Sequence, residues 1–406
     1  MINVVGLGYI GLPTSLMLAK SGLEVVGTDR NPDLIKKLSN HELTFEEKGL
    51  EELFEKALLN KIKFTKDIQK TNTYILAVPT PFIKESKKLD PKYIISALED
   101  VLEVCNKGAI VIIESTISPG TIDKYIRPVI ESKNLSVGED IHLVHAPERI
   151  TPGNMIFELE NNSRTIGADS KKISKEVKKI YASFCESEIV LTDIRSAEMS
   201  KVIENTYRDI NIAFANELAK ICRQDNMDVY EIIRIANKHP RVDILQPGPG
   251  VGGHCISVDP WFLVGDYPDL TNLILTARKT NDSMPSHVLS RVRDIMKENE
   301  VKDVSKIGFY GLAYKENVDD TRESPTLQIL EKMEENLAYG VKVYDPFIKK
   351  TIRDNQSLNF EEFLNGIEIL VIMVGHTHIV ENIDKIKEKL ILDTKNIISI
   401  ENAYKL

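Results

Sequence analysis

The most reactive arrangement in this 406-residue sequence lies between Gln246 and Trp261, where glycines at 248, 250, 252 and 253 precede Cys255 and the chain's only tryptophan follows. Glycines let backbone approach a ligand closely. A structural cysteine belongs in an apolar helix or strand, as Cys105 and Cys222 do, whereas Cys255 lacks that setting and reads as a nucleophile. Lys201 and Asn205 are one helical turn apart on a face shared with Arg208. The ammonium and amide could stabilise an oxyanion or could be an ordinary exposed pair, while Arg208 alone reads as solvated. Glu148 and Arg149 occupy a Pro-bounded loop, 146–153, that follows an apolar strand at 141–144. His239-Pro240-Arg241 precedes the glycine segment. Lys315, Asp319, Asp320, Arg322 and Ser324 follow a strand that ends in Gly311. Such a run is commonly a solvated loop or helix cap, but its place at the carboxyl end of a strand favours ligand binding. The four cysteines, which include Cys185, form no CxxC pair, so neither a disulfide framework nor a zinc site is expected and no metal is assigned.

These residues need a scaffold, and the sequence opens on one. A strand at 2–5 runs into Gly6-Leu7-Gly8-Tyr9-Ile10-Gly11, a helix follows until Gly22, and a strand at 24–27 delivers Asp29, 18 residues beyond Gly11. That order is the dinucleotide-binding unit: glycines make room for a pyrophosphate at a helix N-terminus, and the acid takes the ribose 2′-hydroxyl. The expected cofactor is NAD. Asp29 would repel the 2′-phosphate of NADP, although Arg30 could pair with it. Strands at 73–78 and 109–114 end in loops bearing Thr80 and Thr116, which either contact the cofactor or serve as a solvated turn and a helix cap. A parallel order of elements recurs from residue 306, with a helix at 326–338, a strand ending at Asp345 and a strand at 367–374, but without the glycine fingerprint. An uninterrupted helical period from about 193 to 223 carries Val202, Ile203, Thr206, Ile210, Ala213, Phe214, Leu218 and Ile221. A helix of about 30 residues is about 45 Å long. It is expected to link the domains, and its spare apolar surface implies a homodimer or else burial within one chain.

The expected fold is therefore α/β, with two Rossmann-like doubly wound domains joined by a central helical domain with a long helix. The domain bounds are 1–190, 191–295 and 296–406. The 52 Lys and Arg against 61 Asp and Glu leave a net charge of −9, which argues against nucleic acid as a partner. Apolar runs fall well short of the ~18 residues of a membrane span. The first residues form a strand without the basic and apolar regions of a secretion signal, so a cytoplasmic location is expected.

Taken together, the segments at 4–13, 77–81, 114–120, 145–153, 198–205, 248–260 and 311–325 resemble, in order, the nucleotide-sugar 6-dehydrogenase family of UDP-glucose and GDP-mannose dehydrogenases. Pro147-Glu148-Arg149-Ile150 and Gly252-Gly253-His254-Cys255 are most similar to the N-acetylhexosamine branch. Where UDP-glucose enzymes carry Pro-Lys-Asp, this chain has Ser257-Val258-Asp259. The resemblance implies oxidation of a UDP-N-acetylhexosamine alcohol at C6 to a carboxylate, with two NAD and one water, for a surface glycan. The sugar implied is UDP-N-acetyl-D-mannosamine, with the C2 epimer UDP-N-acetyl-D-glucosamine as the alternative. It implies Cys255 as nucleophile, Lys201 and Asn205 as oxyanion stabilisers, Asp259 in proton management and Glu148 at the hydrolytic water. Gly6, Gly8, Tyr9, Ile10, Gly11, Asp29, Arg30, Thr80, Thr116 and Arg322 would contact NAD. Glu148, Arg149, Lys201, Asn205, His239, Arg241, Gly250 and Lys315 would contact the sugar nucleotide, with His239 to Arg241 reaching a neighbouring subunit. Two rival readings remain: an NAD-binding regulator without turnover, and a two-electron hydroxyacid dehydrogenase that needs no cysteine.

Overall fold

The computed structural model describes every residue except Leu337 and Asn402. The chain divides into two compact units, residues 1–204 with 261–267, and residues 205–260 with 268–406.

In the first unit the strands are β1 (Ile2–Val5), β2 (Val25–Thr28), β3 (Lys63–Thr65), β4 (Thr73–Leu76), β5 (Ala109–Ile113), β6 (Ile141–His145), β7 (Arg164–Ala168) and β8 (Ile189–Thr192). They form one sheet in the order β3-β2-β1-β4-β5-β6-β7-β8. All pairs are parallel through β6. β1 and β5 are buried along their whole length, which is why they read as unbroken apolar runs rather than alternating ones. The strand order reverses between β1 and β4, the place where an open parallel sheet leaves a crevice for a ligand. β7 pairs antiparallel with β6, with Val144 opposite Ala168 and His145 opposite Gly167. Continued by three residues, that register sets Arg164 against Glu148. The helix Lys171–Tyr181 covers this edge with Ile173, Val177 and Tyr181 inward.

The second unit carries β9 (Ile307–Tyr310), β10 (Lys342–Tyr344), β11 (Ile369–Ile372), β12 (Leu390–Asp393) and β13 (Tyr404–Lys405), in the order β10-β9-β11-β12-β13. Every pair is parallel. The anticipated second doubly wound sheet is present, and it repeats a detail of the first. Asp29, after β2, accepts from the Leu7 amide at 2.9 Å; Asp345, after β10, accepts from the Leu312 and Ala313 amides at 2.7 and 2.9 Å. The helix expected at 326–338 spans Pro325–Glu335, and Leu337 lies outside the described residues.

The long helix spans Ile194–Gln224, 31 residues. Ala197, Glu198, Lys201, Val202, Asn205, Asp209, Ala213, Asn216 and Ala219 are buried, whereas Ile203, Tyr207, Phe214 and Ile221 are exposed. Among the described residues no helix is long and apolar enough to cross a membrane, and no group of three or more His, Cys, Asp or Glu side chains could hold a metal ion.

Candidate functional site

The turn after β1 has the shape a dinucleotide requires. Gly6 sits at φ +92°, and a Cβ there would lie 2.5 Å from the Ala77 carbonyl oxygen. A Cβ on Gly11 would lie 1.8 Å from the Gly6 oxygen, so the helix Gly11–Lys20 starts hard against the turn only because the residue is glycine. Nothing lies within 4 Å of where a Gly8 Cβ would be, which leaves open space beside the backbone. Ile10 offers no side-chain cap to the helix, and the Leu12 amide turns back to the Gly8 carbonyl at 3.1 Å. Asp29 accepts the Leu7 amide on Oδ2 and the Asn31 amide on Oδ1, both at 2.9 Å. A carboxylate has about four acceptor positions, so capacity remains for ribose hydroxyls. The turn, helix and acid fit NAD.

Arg30 is turned to other duty: its Nη2 meets Asp100 Oδ2 at 2.6 Å and donates to Ser96 Oγ at 2.8 Å. The guanidinium that could have paired with a 2′-phosphate thus has an exposed carboxylate partner on the protein. The Thr80 hydroxyl donates to the Thr116 carbonyl at 2.7 Å, tying the loops after β4 and β5 together at the carboxyl ends of the strands.

Glu148 and Arg149 follow β6. Glu148 is buried; its Oε1 accepts from the Arg149 amide at 2.6 Å and its Oε2 is paired with Arg164. Arg164 also reaches Glu114 Oε1 at 3.4 Å, and the Tyr181 hydroxyl donates to the same oxygen at 3.1 Å. Burial pushes the Glu114 carboxyl up to about 7 despite the neighbouring guanidinium. The Arg149 guanidinium meets Glu204 Oε1 at 2.7 Å and donates to Thr165 Oγ1 at 3.0 Å.

The long helix places Lys201 by anchoring the turn before it. Glu198 is buried and accepts from the Gly120 and Ile122 amides at 2.5 and 3.0 Å. Burial raises its carboxyl above the ordinary range. Lys201 follows on the same buried face, as does Asn205, so neither is the ordinary exposed residue that sequence left open; Arg208 is exposed, as its reading as a solvated residue required.

In the second unit Asn205 Nδ2 donates to Asp259 Oδ2 at 2.6 Å, and the Asp259 amide donates to the Cys255 carbonyl at 2.8 Å. Asp259, the first residue of the helix Asp259–Asp266, is buried, and Cys255 is partly exposed. Burial raises the thiols of Cys105 and Cys222, which suits inert residues. The glycine segment packs on the loop after β9. A Cβ on Gly252 would lie 2.6 Å from Tyr314 Cβ and 2.7 Å from the Glu323 oxygen, and the Gly253 amide donates to the Arg322 carbonyl at 2.9 Å. The close approach expected of these glycines is thus made to the loop that carries Lys315. Gly250, at φ +139°, touches Pro325 and Pro285. Arg322 is engaged by Asp320, with Nε 2.9 Å from Oδ1. His239 and Arg241 are exposed, and the Arg241 amide donates to His239 Nδ1 at 3.3 Å.

Sequence reasoning overlooked the residues that hold this arrangement. Asn216 accepts the Gly248 amide and donates to Asn281 Oδ1, both at 2.8 Å. Asn281 in turn donates to Asp209, which pairs with the buried Arg278 at 2.5 Å. A buried Asn face on a long helix is a signal, but only in company with the contacts. Lys395, whose Nζ lies 3.7 Å from where a Gly248 Cβ would be, and Arg164 were likewise unnamed.

Comparison with known proteins agrees with this architecture. Residues 1–185 match the NAD binding domain of the UDP-glucose/GDP-mannose dehydrogenase family, residues 195–283 its central domain and residues 308–400 its UDP binding domain. The UDP-N-acetyl-D-mannosamine dehydrogenase of Methanocaldococcus jannaschii is 43% identical over 98% of this chain and 93% of its own. The structure of the UDP-N-acetyl-mannosamine dehydrogenase from Staphylococcus aureus superposes with a TM-score of 0.89, at 42% identity over 100% of this chain and 97% of that one. That of UDP-D-ManNAc dehydrogenase from Pyrococcus horikoshii gives 0.90, at 38% identity over 98% and 96%. The chain belongs to the UDP-glucose/GDP-mannose dehydrogenase family.

Proposed function

We propose that the chain oxidises UDP-N-acetyl-D-mannosamine at C6 to the uronate in two NAD-dependent steps, with Cys255 as the covalent nucleophile. The observation that carries this reading is the partly exposed Cys255, in a glycine segment fixed through Asp259 to Asn205 of the long helix. The sugar is supported by the names of the full-length relatives.

NAD, when bound, accepts the hydride that C6 gives up in each oxidation. Gly6, Gly8, Tyr9, Ile10, Gly11, Asp29, Thr80 and Thr116 hold it, with Arg30 and Arg322 at its periphery. Arg149, His239, Arg241, Gly250 and Lys315 bind the sugar nucleotide. The first oxidation leaves an aldehyde, whose carbon bonds to the Cys255 sulfur and whose oxygen becomes an anion. The Lys201 ammonium and the Asn205 amide stabilise that charge where it develops. Asp259 keeps the Asn205 amide oriented and takes part in proton transfer. Loss of the second hydride turns the thiohemiacetal into a thioester. Water, positioned by Glu148, then adds to the acyl carbon and releases the acid.

Residues 191–295 form the central segment in this proposal, and a homodimer forms across the long helix. Ile203, Tyr207, Phe214 and Ile221 recur at intervals of four and seven along its exposed side, with Tyr207 65% and Phe214 52% exposed. The product feeds a surface glycan, from a cytoplasmic enzyme.

Purified protein supplied with UDP-N-acetyl-D-mannosamine and NAD should release two NADH per sugar. A ratio near one, or undiminished acid formation by Cys255→Ala, refutes the covalent scheme. Greater kcat/KM with UDP-N-acetyl-D-glucosamine reassigns the sugar and leaves the chemistry intact.

A further inference from the structure

Arg164 belongs to none of the roles assigned so far, yet it is among the most deeply buried charged residues of the first unit, 3% exposed. Its position follows from one exception to the parallel sheet. Because β7 runs antiparallel to β6, its first residue faces the segment just past the carboxyl end of β6, and continuing the register from Val144–Ala168 and His145–Gly167 brings Arg164 to Glu148. A parallel β7 would have carried that residue to the opposite end of the sheet.

The guanidinium is held by two rings and two carboxylates. Its central carbon lies 4.4 Å from the centroid of the Tyr181 ring and 5.2 Å from that of Phe184. One nitrogen pairs with Glu148 Oε2 and another lies 3.4 Å from Glu114 Oε1, which also accepts the Tyr181 hydroxyl at 3.1 Å. Glu148 Oε1 is held separately by the Arg149 amide at 2.6 Å. Both oxygens of Glu148 are thereby set in place, and each keeps a further lone pair for a water hydrogen.

We propose that Arg164 is a positioning residue for the hydrolytic half of the reaction, holding the Glu148 carboxylate in the orientation from which it handles water. The inference rests on the reading of Glu148 given above. Stability alone does not account for the pair, since a buried ion pair contributes little over apolar residues of equal volume. Glu114 completes the device. Burial raises its carboxyl, and it lies 3.4 Å from the guanidinium, farther than Glu148 does, so Glu148 is the closer partner of Arg164. In the step served, the water oxygen bonds to the acyl carbon and the carbon–sulfur bond breaks. Its electron pair leaves on the Cys255 sulfur as a thiolate, and the water's protons pass by way of Glu148 to solvent.

The test is rapid mixing of the full chain with UDP-N-acetyl-D-mannosamine and excess NAD, following NADH, with intact mass spectrometry for the acyl-enzyme. Glu148→Gln should keep the initial burst of NADH, slow later turnover at least tenfold and accumulate acyl-enzyme. Arg164→Met should give the same pattern, and the double variant should turn over no more slowly than Glu148→Gln alone. Losses that multiply in the double variant, or a burst that falls in parallel with turnover in Arg164→Met, overturn the inference. Should Arg164→Met fail to fold, Arg164→Lys decides, because it keeps the charge and loses the planar two-point contact. Slowed turnover with an intact burst supports positioning; turnover equal to that of the unaltered chain overturns it. Unslowed turnover in Glu148→Gln would instead overturn the reading of Glu148, and this inference with it.

Discussion

Asn205 and Asn216 lie eleven residues apart on one buried face of the long helix, and each holds one end of the segment that carries Cys255. Asn205 takes Asp259 at 2.6 Å, and Asn216 takes the Gly248 amide at 2.8 Å. Eleven residues are close to three turns, about 16 Å along the axis. A glycine-rich loop pays heavily in entropy when ordered, and two side-chain amides from one rigid element supply that order.

The Asn205 end is the one that the proposed chemistry uses. Asn205→Ala removes one of two proposed oxyanion donors and leaves the buried Asp259 carboxylate without this partner. A lost donor of that kind costs about 10²–10³ in rate. The burst of the first NADH, measured by stopped flow, should slow by about that factor. A burst at the original rate would show that Asn205 serves the fold alone.

The Asn216 end should act through order. Asn216→Ala leaves the Gly248 amide and the Asn281 carbonyl without their bonds, at about 1–3 kcal/mol for each group left unsatisfied in the interior. Thermal denaturation should show the loss. Alkylation of Cys255 by iodoacetamide should quicken as the loop frees. An unchanged alkylation rate in a destabilised variant would separate fold from site.

Much of this was legible in the sequence. The fingerprint Gly6 to Gly11, Asp29 and the helix from about residue 193 announce themselves because local rules govern them: tight turns need glycine, and burial of one face imposes a period. The repeat from residue 306 was visible for the same reason. Arg164 was not, because its role depends on the polarity of β7, and strand direction leaves no mark on the residues of the strand. Asn216, Asp209 and Arg278 were missed because an uninterrupted helical pattern hides which polar residues face inward. Glu148 stood out in its Pro-bounded loop, but its pairing with Arg164 was not legible.

Two buried acids give stability an unusual dependence on pH. Burial raises Glu114 from about 4.5 to about 7 and Asp209 from about 3.8 to about 6. The folded state therefore keeps protons that the unfolded chain has released. Each contribution is fully present below the ordinary pKa and is lost as pH rises through the folded value, with a slope of at most about 1.4 kcal/mol per pH unit per group. His145 and His287, lowered by burial to about 3 and about 4, act in the opposite sense over this range, so the Glu114 share is read as a difference: in urea unfolding between pH 4.5 and 7, Glu114→Gln should lose less stability with rising pH than the unaltered chain. An equal slope in that variant would mean that Glu114 titrates normally.

The exposed stripe on the long helix predicts its own test. Tyr207→Glu with Phe214→Glu places two charges among the exposed apolar side chains of the helix. If two copies pair there, light scattering should report a change from dimer to monomer with little loss of secondary structure. A mass unaffected by both charges would place any dimer elsewhere.

In the proposed site the preference for NAD over NADP rests on two neighbours with opposite charges. Asp29 disfavours a 2′-phosphate by repulsion, and Arg30, which could attract one, is bound to Asp100 and Ser96. Asp29→Asn should weaken NAD by about tenfold, the scale of one charge-assisted bond, while NADP stays poor because Arg30 is still occupied. Adding Asp100→Ala releases the guanidinium and should raise kcat/KM for NADP a further several-fold, leaving that for NAD nearly unmoved. If the second substitution raises neither, repulsion by Asp29 alone sets the preference and Arg30 is only part of the surface.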